Sequence, residues 1–251
     1  MGGLGNWLFQ VAAAVEFSQR AGVDCVLTKE RCWRSPHSGV DYFSTILSTF
    51  KQREHLRHGG AREFREPSNF QHSSDYAHSI HSVRNQDIDI VLFGYFQNHA
   101  FIPRTFKHML QLPVVDSSAV RDTCFIHIRG GDYVNHSFHD LKLGEYYRRC
   151  IERARNEKGI TKFSIFTNDK PYAQTQEFLK DIEYEFVDAP EIESLVLMSE
   201  CRAGICANSS FSWWGAYLTP DRPIYMPSKW FNDANMNISG YFFPGVTVVE
   251  V

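Results

Sequence analysis

Residues 201–217, Cys-Arg-Ala-Gly-Ile-Cys-Ala-Asn-Ser-Ser-Phe-Ser-Trp-Trp-Gly-Ala-Tyr, carry the pattern on which the fold turns. Ala203, Ile205, Cys206 and Ala207 read as a short buried strand. Asn208, Ser209 and Ser210 then open an aromatic segment, residues 211–218, that is compatible with a helix. A strand ending in small hydroxyl residues at a helix start is how α/β folds offer backbone N–H groups to an anion. The plainer alternative is a strand–loop–helix joint whose serine only caps the helix. A second segment, His127-Ile-Arg-Gly-Gly-Asp-Tyr133, tips the balance toward a ligand site.

Outward from this stretch, strand and helix patterns alternate. Strands are expected over residues 124–128, 163–166, 184–187, 203–207 and 223–226, and helices over 144–156, 171–179, 192–198 and 212–218. Such alternation argues for a parallel, doubly wound sheet. The N-terminal part is less regular. A helix is expected over residues 7–20, ended by Gly22, followed by a strand over 23–28. Short helices are expected around residues 42–50 and near Glu63, a strand over 88–93 and a helix over 101–110. The connection after Leu112-Pro113 sets the expected domains at 1–117 and 118–251.

The chain has 251 residues, 43% of them hydrophobic and 22% charged, enough for one large or two small globular domains. Lys and Arg number 26 against 29 Asp and Glu, a net charge of −3. That excludes a polybasic nucleic-acid footprint, so an anionic ligand must be met by a few local cations. The cysteines at 25, 32, 124, 150, 201 and 206 lie far apart with no Cys-x-x-Cys pair, which favours buried thiols over a disulfide framework. No apolar run reaches transmembrane length. The expectation is a soluble, untargeted, cytoplasmic protein.

In the His127–Tyr133 segment, strand alternation puts His127 and Arg129 on one side of a strand end. Gly130 and Gly131 beyond them let a ligand approach. Arg129 offers a planar fork of donors suited to phosphate, and Asp132 can orient it. The alternative is a purely structural Arg–Asp pair. Phe166-Thr-Asn-Asp169 again ends a strand in polar residues, either as a helix cap or as a base or ribose contact. Asp87-Ile-Asp89 precedes a strand rather than following one, and reads as a solvated turn. The histidines at 55, 58, 72, 78, 81, 136 and 139 lack a carboxylate or cysteine pattern at ligand spacing, so no metal is expected.

Taken together, these segments resemble the bacterial-type α-1,2-fucosyltransferases, glycosyltransferase family 11. Gly2-Gly-Leu-Gly-Asn-Trp-Leu-Phe-Gln10 is similar to the family's Gly-Gly-Leu-Gly-Asn-Gln-Leu-Phe-Gln opening, and Gly94-Tyr-Phe-Gln97 to its Gly-Tyr-Phe-Gln. His127–Tyr133 resembles His-x-Arg-Arg-Gly-Asp-Tyr, and Phe166–Asp169 resembles Phe-Ser-Asp-Asp. The block from Met198 through Asn208-Ser-Ser-Phe-Ser-Trp-Trp-Gly-Ala216 resembles the family's most distinctive run, and Pro227-Ser-Lys-Trp-Phe231 its Pro-Lys-x-Trp-Phe ending.

The resemblance implies an α/β protein of GT-B-like architecture, with two Rossmann-type domains facing across a cleft. The reaction it implies is an inverting transfer of L-fucose from GDP-β-L-fucose to a glycan acceptor, with neither metal nor cofactor. By the same analogy Arg129, Asp132 and Asn6 serve catalysis. Gly3, Gly5, His127, Arg129, Asn168 and Asp169 would contact the donor, together with Glu193, Asn208, Ser209, Ser210 and Phe211. Trp7, Gln97 and Tyr133 would contact the acceptor.

Departures from the family pattern keep alternatives open. Gly130 stands for the second Arg, Trp7 for Gln, and Ser194 for an acidic residue that Glu193 would have to replace. The family's strand before the first glycine turn has no counterpart, so the chain is either part of a longer polypeptide or lacks that edge. Another linkage such as α-1,3, another nucleotide-sugar donor, or an inactive glycan-binding scaffold are the competing expectations.

Overall fold

The computed structural model of the protein describes residues 2–29, 34–36, 38–56, 61–66 and 89–251. Cys32, Asp87 and the histidines at 58, 72, 78 and 81 lie outside them. The chain divides into two compact units. One comprises Met1–Gln111 with Ser239–Tyr241, the other Leu112–Ile238 with Phe242–Val251.

In the first unit, helix α1 (Leu4–Ala21) buries Leu8, Val11, Ala12 and Val15, the spacing of one helical face. Gly22 ends it in the left-handed conformation, at φ 69°. Strand β1 (Leu27–Thr28) pairs in parallel with β2 (Gln52–Arg53). Likewise β3 (Ala61–Arg65) pairs in parallel with β4 (Asp89–Phe93). The expected helix near Glu63 is thus a strand. Pairing with β4 overrides the local helix preference of Ala-Arg-Glu, and the Arg65–Glu63 ion pair joins residues two apart on one strand face.

The expected helix over 101–110 is two 3₁₀ turns, His99–Phe101 and Phe106–Met109. Pro103 lies between them and holds Ile102 extended, at φ −105° and ψ 113°. Residues 42–50 form turns rather than helix, though Tyr42, Ile46 and Leu47 are fully buried.

The second unit is built on a six-stranded, wholly parallel sheet. Its strands are β5 (Cys124–Ile128), β6 (Lys162–Thr167), β7 (Glu183–Phe186), β8 (Ala203–Ile205), β9 (Ile224–Pro227) and β10 (Val246–Val249), in the order β10-β9-β8-β5-β6-β7. The chain winds outward from β5 through β6 and β7, then returns to β8 on the other side. The order therefore reverses between β5 and β8. Strand β10 goes beyond the alternation read from the sequence, and its Val-Thr-Val-Val run is the signal for it.

Strand β5 is buried along its whole length, as a central parallel strand must be. Helix α2 (Gly144–Lys158) lays Tyr146, Tyr147, Cys150, Ile151 and Ala154 on the core that contains Cys124, Ile126 and Ile128. The segment expected as one helix over 171–179 splits into α3 (Lys170–Gln174) and a 3₁₀ turn, Glu177–Leu179. Helices α4 (Glu191–Glu200) and α5 (Ser210–Tyr217) pack closely, since a Cβ on Gly215 would lie 2.8 Å from the Cβ of Met198.

Candidate active site

Ligands of open α/β sheets bind beyond the carboxyl ends of the strands where the order reverses. Here that point lies between β5 and β8, and the His127–Tyr133 and Asn208–Phe211 segments stand at the carboxyl ends of those two strands. His127 sits within the end of β5, 2% exposed, its ring centroid 5.8 Å from that of Phe211 on α5. The backbone there is tied down from α2. Tyr147 donates its hydroxyl to the His127 carbonyl at 2.7 Å, and Tyr146 donates to the carbonyls of Cys206 and Tyr225.

Arg129 comes directly after β5 and reaches Asp132 Oδ1 at 2.7 Å, with its guanidinium 5.0 Å from the Tyr133 ring centroid. Tyr133 in turn stacks on His139, centroids 4.6 Å apart. Arg129 is largely covered while Asp132 is exposed. Desolvation, with Arg129 as a lesser contributor, pushes the His127 pKa down to about 3. The imidazole is therefore neutral at physiological pH and does not add to the Arg129 charge. Its Nδ1 is buried with no hydrogen-bond partner among the described residues.

The glycine turn is anchored from the end of β6. Gly130 N–H donates to Asn168 Oδ1 at 2.9 Å, and Gly131 N–H to Asp169 Oδ2 at 3.0 Å. The other oxygen of Asp169 accepts from Tyr172 N–H, capping α3. The capping alternative weighed for this segment is thus realised by Asp169, and Asn168 positions the turn. At the start of α5, Ser209 occupies the cap position, yet its side chain makes no capping bond. Asn208 donates through Nδ2 to the carbonyls of His139 and Trp230, joining the two loops. Glu193 and Ser194 lie at the start of α4, where Ser194 Oγ donates to the Ala189 carbonyl at 2.9 Å.

In the first unit Gly3 caps α1 and Gly5 lies within its first turn. Asn6 Oδ1 accepts from Gln97 Nε2 at 2.7 Å, and Trp7 and Gln97 are buried. Among the described residues no cluster of His, Cys, Asp or Glu is arranged to hold a metal, and no helix is long and apolar enough to cross a membrane. The described cysteines are free thiols; Cys124, Cys150, Cys201 and Cys206 are buried and Cys25 partly so.

Sequence reasoning passed over three residues. Arg222 is half-buried and donates to the carbonyls of Cys201, Ala203, Gly215 and Thr219, holding β8 to the end of α5. Glu66 accepts the N–H groups of Tyr95 and Phe96, and Tyr241 bonds Gln97. A lone charged or aromatic residue outside any motif carries no local signal of such a role.

The model of "Glycosyl transferase family 11" matches residues 95–241, more than half the chain. The chain belongs to glycosyl transferase family 11.

This family 11 chain is 29% identical over 170 residues to the O-antigen biosynthesis glycosyltransferase WbnK of Escherichia coli, covering 57% of the chain and 56% of that protein. It is 26% identical over 186 residues to an α-1,2-colitosyltransferase of Escherichia coli, covering 66% of the chain and 63% of the relative. The chain thus spans less than two thirds of either relative's length. Among solved structures, POFUT1 in complex with GDP aligns with a TM-score of 0.52 at 13% identity, over 89% of this chain and 95% of that one. At that identity the likeness is one of fold, and it is GT-B-like.

Proposed function

We propose that the protein is an inverting fucosyltransferase that moves L-fucose from GDP-β-L-fucose to a glycan hydroxyl, α-1,2 to galactose, without a metal ion. The observation that carries this reading is Arg129 at the point of sheet reversal, opposite the start of α5 and beside a neutral His127. Breaking the sugar–phosphate bond builds negative charge on the departing GDP. A fixed guanidinium and the N–H groups of a helix start stabilise that charge without reorganising. Two such features on the diphosphate make a divalent cation unnecessary. Asp132, committed to Arg129, orients the guanidinium rather than acting as a base.

Family membership and the fold shared with POFUT1 support a nucleotide-sugar donor. Likeness to an α-1,2-colitosyltransferase favours a second reading, the same linkage with colitose transferred in place of fucose. A thermal-shift screen with GDP, UDP and CMP tests the nucleotide. At 100-fold excess over Kd, GDP should add about 2.7 kcal/mol of stability, and a shift with UDP but not GDP would refute the proposal. Turnover of GDP-fucose against GDP-colitose, each with EDTA present, then separates the two sugars and checks metal independence.

A further inference from the structure

Between the glycine turn and α2, the loop over residues 134–143 is bound to chain far from it in sequence. Asn232 donates its backbone N–H to the Phe138 carbonyl at 3.0 Å, and its Nδ2 to the carbonyls of Ser137 and Asp140 at 2.9 and 3.0 Å. Asn208 Nδ2 donates to the His139 carbonyl at 2.9 Å. Within the loop the Asp140 carboxylate accepts from Asn135 N–H at 2.7 Å and from Lys142 Nζ at 2.6 Å. Asn135 and Lys142 have φ of 60° and 53°, a conformation that costs a non-glycine residue free energy and persists where the surroundings enforce it.

The loop thus holds the His139 ring in place beside Arg129. His139 stacks on Tyr133, planes 17° and centroids 4.6 Å apart, and the Tyr133 centroid lies 5.0 Å from the Arg129 guanidinium. His139 also meets Phe231 at 5.8 Å, and Phe231 stacks on Phe138 at 4.6 Å. The ion pair to Asp132 is a weaker restraint, since Asp132 is 58% exposed and water screens it. A cavity of about 30 Å³, room for a water molecule, borders Arg129 and is lined by Tyr133, His139, Asp140, Lys142 and Tyr172. Packing therefore leaves the guanidinium space to turn, and the ring stack opposes that turn. Desolvation and His136, with Arg129 a lesser contributor, hold the His139 pKa below the ordinary 6.5 against the pull of Asp132. The ring behind Tyr133 is therefore neutral at pH 7 and does not repel Arg129.

We propose that His139 is a positioning residue that aims Arg129 through Tyr133, so that the loop carrying it, and not only the Asp132 ion pair, fixes where the guanidinium meets an anion. The proposal rests on the fucosyl-transfer reading for the identity of that anion, the diphosphate of GDP. An aromatic face attracts a guanidinium and fixes its plane, and the plane sets the direction of the donor fork.

His139→Leu removes the flat ring but keeps a side chain of similar size. We expect a folded protein that binds GDP more weakly and whose kcat falls roughly tenfold, the scale of a displaced contact. His139→Phe returns a stacking ring and should recover most of both. The deciding measurement is the same Leu substitution made in Arg129→Ala protein, with GDP affinity read by calorimetry. A residue that acts through Arg129 has nothing left to aim there, so no further loss should appear, whereas an independent brace would cost as much as in the wild type. Tyr133→Leu carries the same cycle should His139→Leu fail to fold. Wild-type GDP affinity and kcat in folded His139→Leu, or an undiminished loss in the Arg129→Ala background, overturns the proposal.

Nitrogen relaxation at Arg129 Nε, measured by nuclear magnetic resonance, gives a readout that needs no nucleotide. The side chain should gain motion in His139→Leu and return to wild-type order in His139→Phe. Unchanged order in His139→Leu overturns the proposal. Increased motion in a protein whose GDP affinity is indifferent to Arg129→Ala would support the positioning and count against the diphosphate as the partner of Arg129.

Discussion

Gly130 and Asp169 are packed so tightly that a Cβ built on Gly130 would lie 2.6 Å from the Cβ of Asp169. The Tyr172 ring closes the same space, with Cδ1 at 2.8 Å. The glycine is thus a steric requirement of this turn as it is folded here, where family sequences have a second arginine. Its own backbone, at φ −108°, does not demand glycine. The requirement comes from the bonds that draw Asn168 and Asp169 onto the turn.

Restoring the arginine should therefore do harm. Gly130→Ala is expected to destabilise the protein by about 1–3 kcal/mol, the range for overpacking. Gly130→Arg should cost at least as much and give no gain in turnover. Equilibrium unfolding in urea reads the first effect and a donor assay the second. An arginine variant as stable as the wild type and faster would show that the turn can open to admit the side chain.

His127 provides a pH test. Its folded-state pKa of about 3 lies below the ordinary 6.5, because burial disfavours the imidazolium and Arg129 adds to the penalty. Between those values the unfolded chain binds the proton and the folded chain does not. Stability from this group is complete above 6.5 and is lost as pH falls toward 3. Urea unfolding at a series of pH values should show the decline, and His127→Gln should flatten it. A His127 ring resonance that titrates near pH 6.5 would contradict the burial argument.

Much of the second unit was legible in the sequence because each βα repeat closes locally. The run from Ala203 to Ala207 ends where small residues must, and the Ser209-Ser210 start of α5 comes directly after it. His127 to Asp132 stood out as a candidate site because its glycines and arginine follow directly on a strand end, where the structure places them. The first unit resisted because its elements depend on distant partners. Ala61–Arg65 is a strand only through its pairing with β4, and Pro103 divides what composition alone would join. Tyr241 was illegible for the same reason, since 144 residues separate it from Gln97.

Glu66 responds to pH in the opposite sense to His127. Desolvation raises its pKa above the ordinary 4.5, against the pull of the Tyr95 and Phe96 N–H groups. In the window just above 4.5 the folded chain holds the proton and the unfolded chain has released it. This contribution is therefore full below 4.5 and declines as pH rises through the folded value. Glu66→Gln, which cannot ionise, should be more stable than the wild type at pH 7, with the gain shrinking toward pH 4. A Gln variant that is less stable at pH 7 would mean that the charged carboxylate is needed by the two N–H groups it accepts.

Arg129 is the most direct test of the proposed chemistry. It stands at the end of a central strand at the sheet reversal, is largely covered, and is aimed by Asp132 at 2.7 Å. If it meets the donor diphosphate, its contribution grows as the leaving group gains charge, so Arg129→Ala should lower kcat by about 10²-fold or more. Arg129→Lys keeps a charge but loses the planar fork and the stacking on Tyr133, and should recover only part of the rate. Asp132→Asn keeps the shape but weakens the aim, so its kcat should fall between that of Arg129→Lys and the wild type. GDP affinity by calorimetry should drop with Arg129→Ala, and raising the salt concentration should weaken the wild type more than the variant. A folded Arg129→Ala protein with normal turnover and GDP binding would make the Arg129–Asp132 pair a brace for the glycine turn. The phosphate site would then have to be sought elsewhere along the edge between β5 and β8.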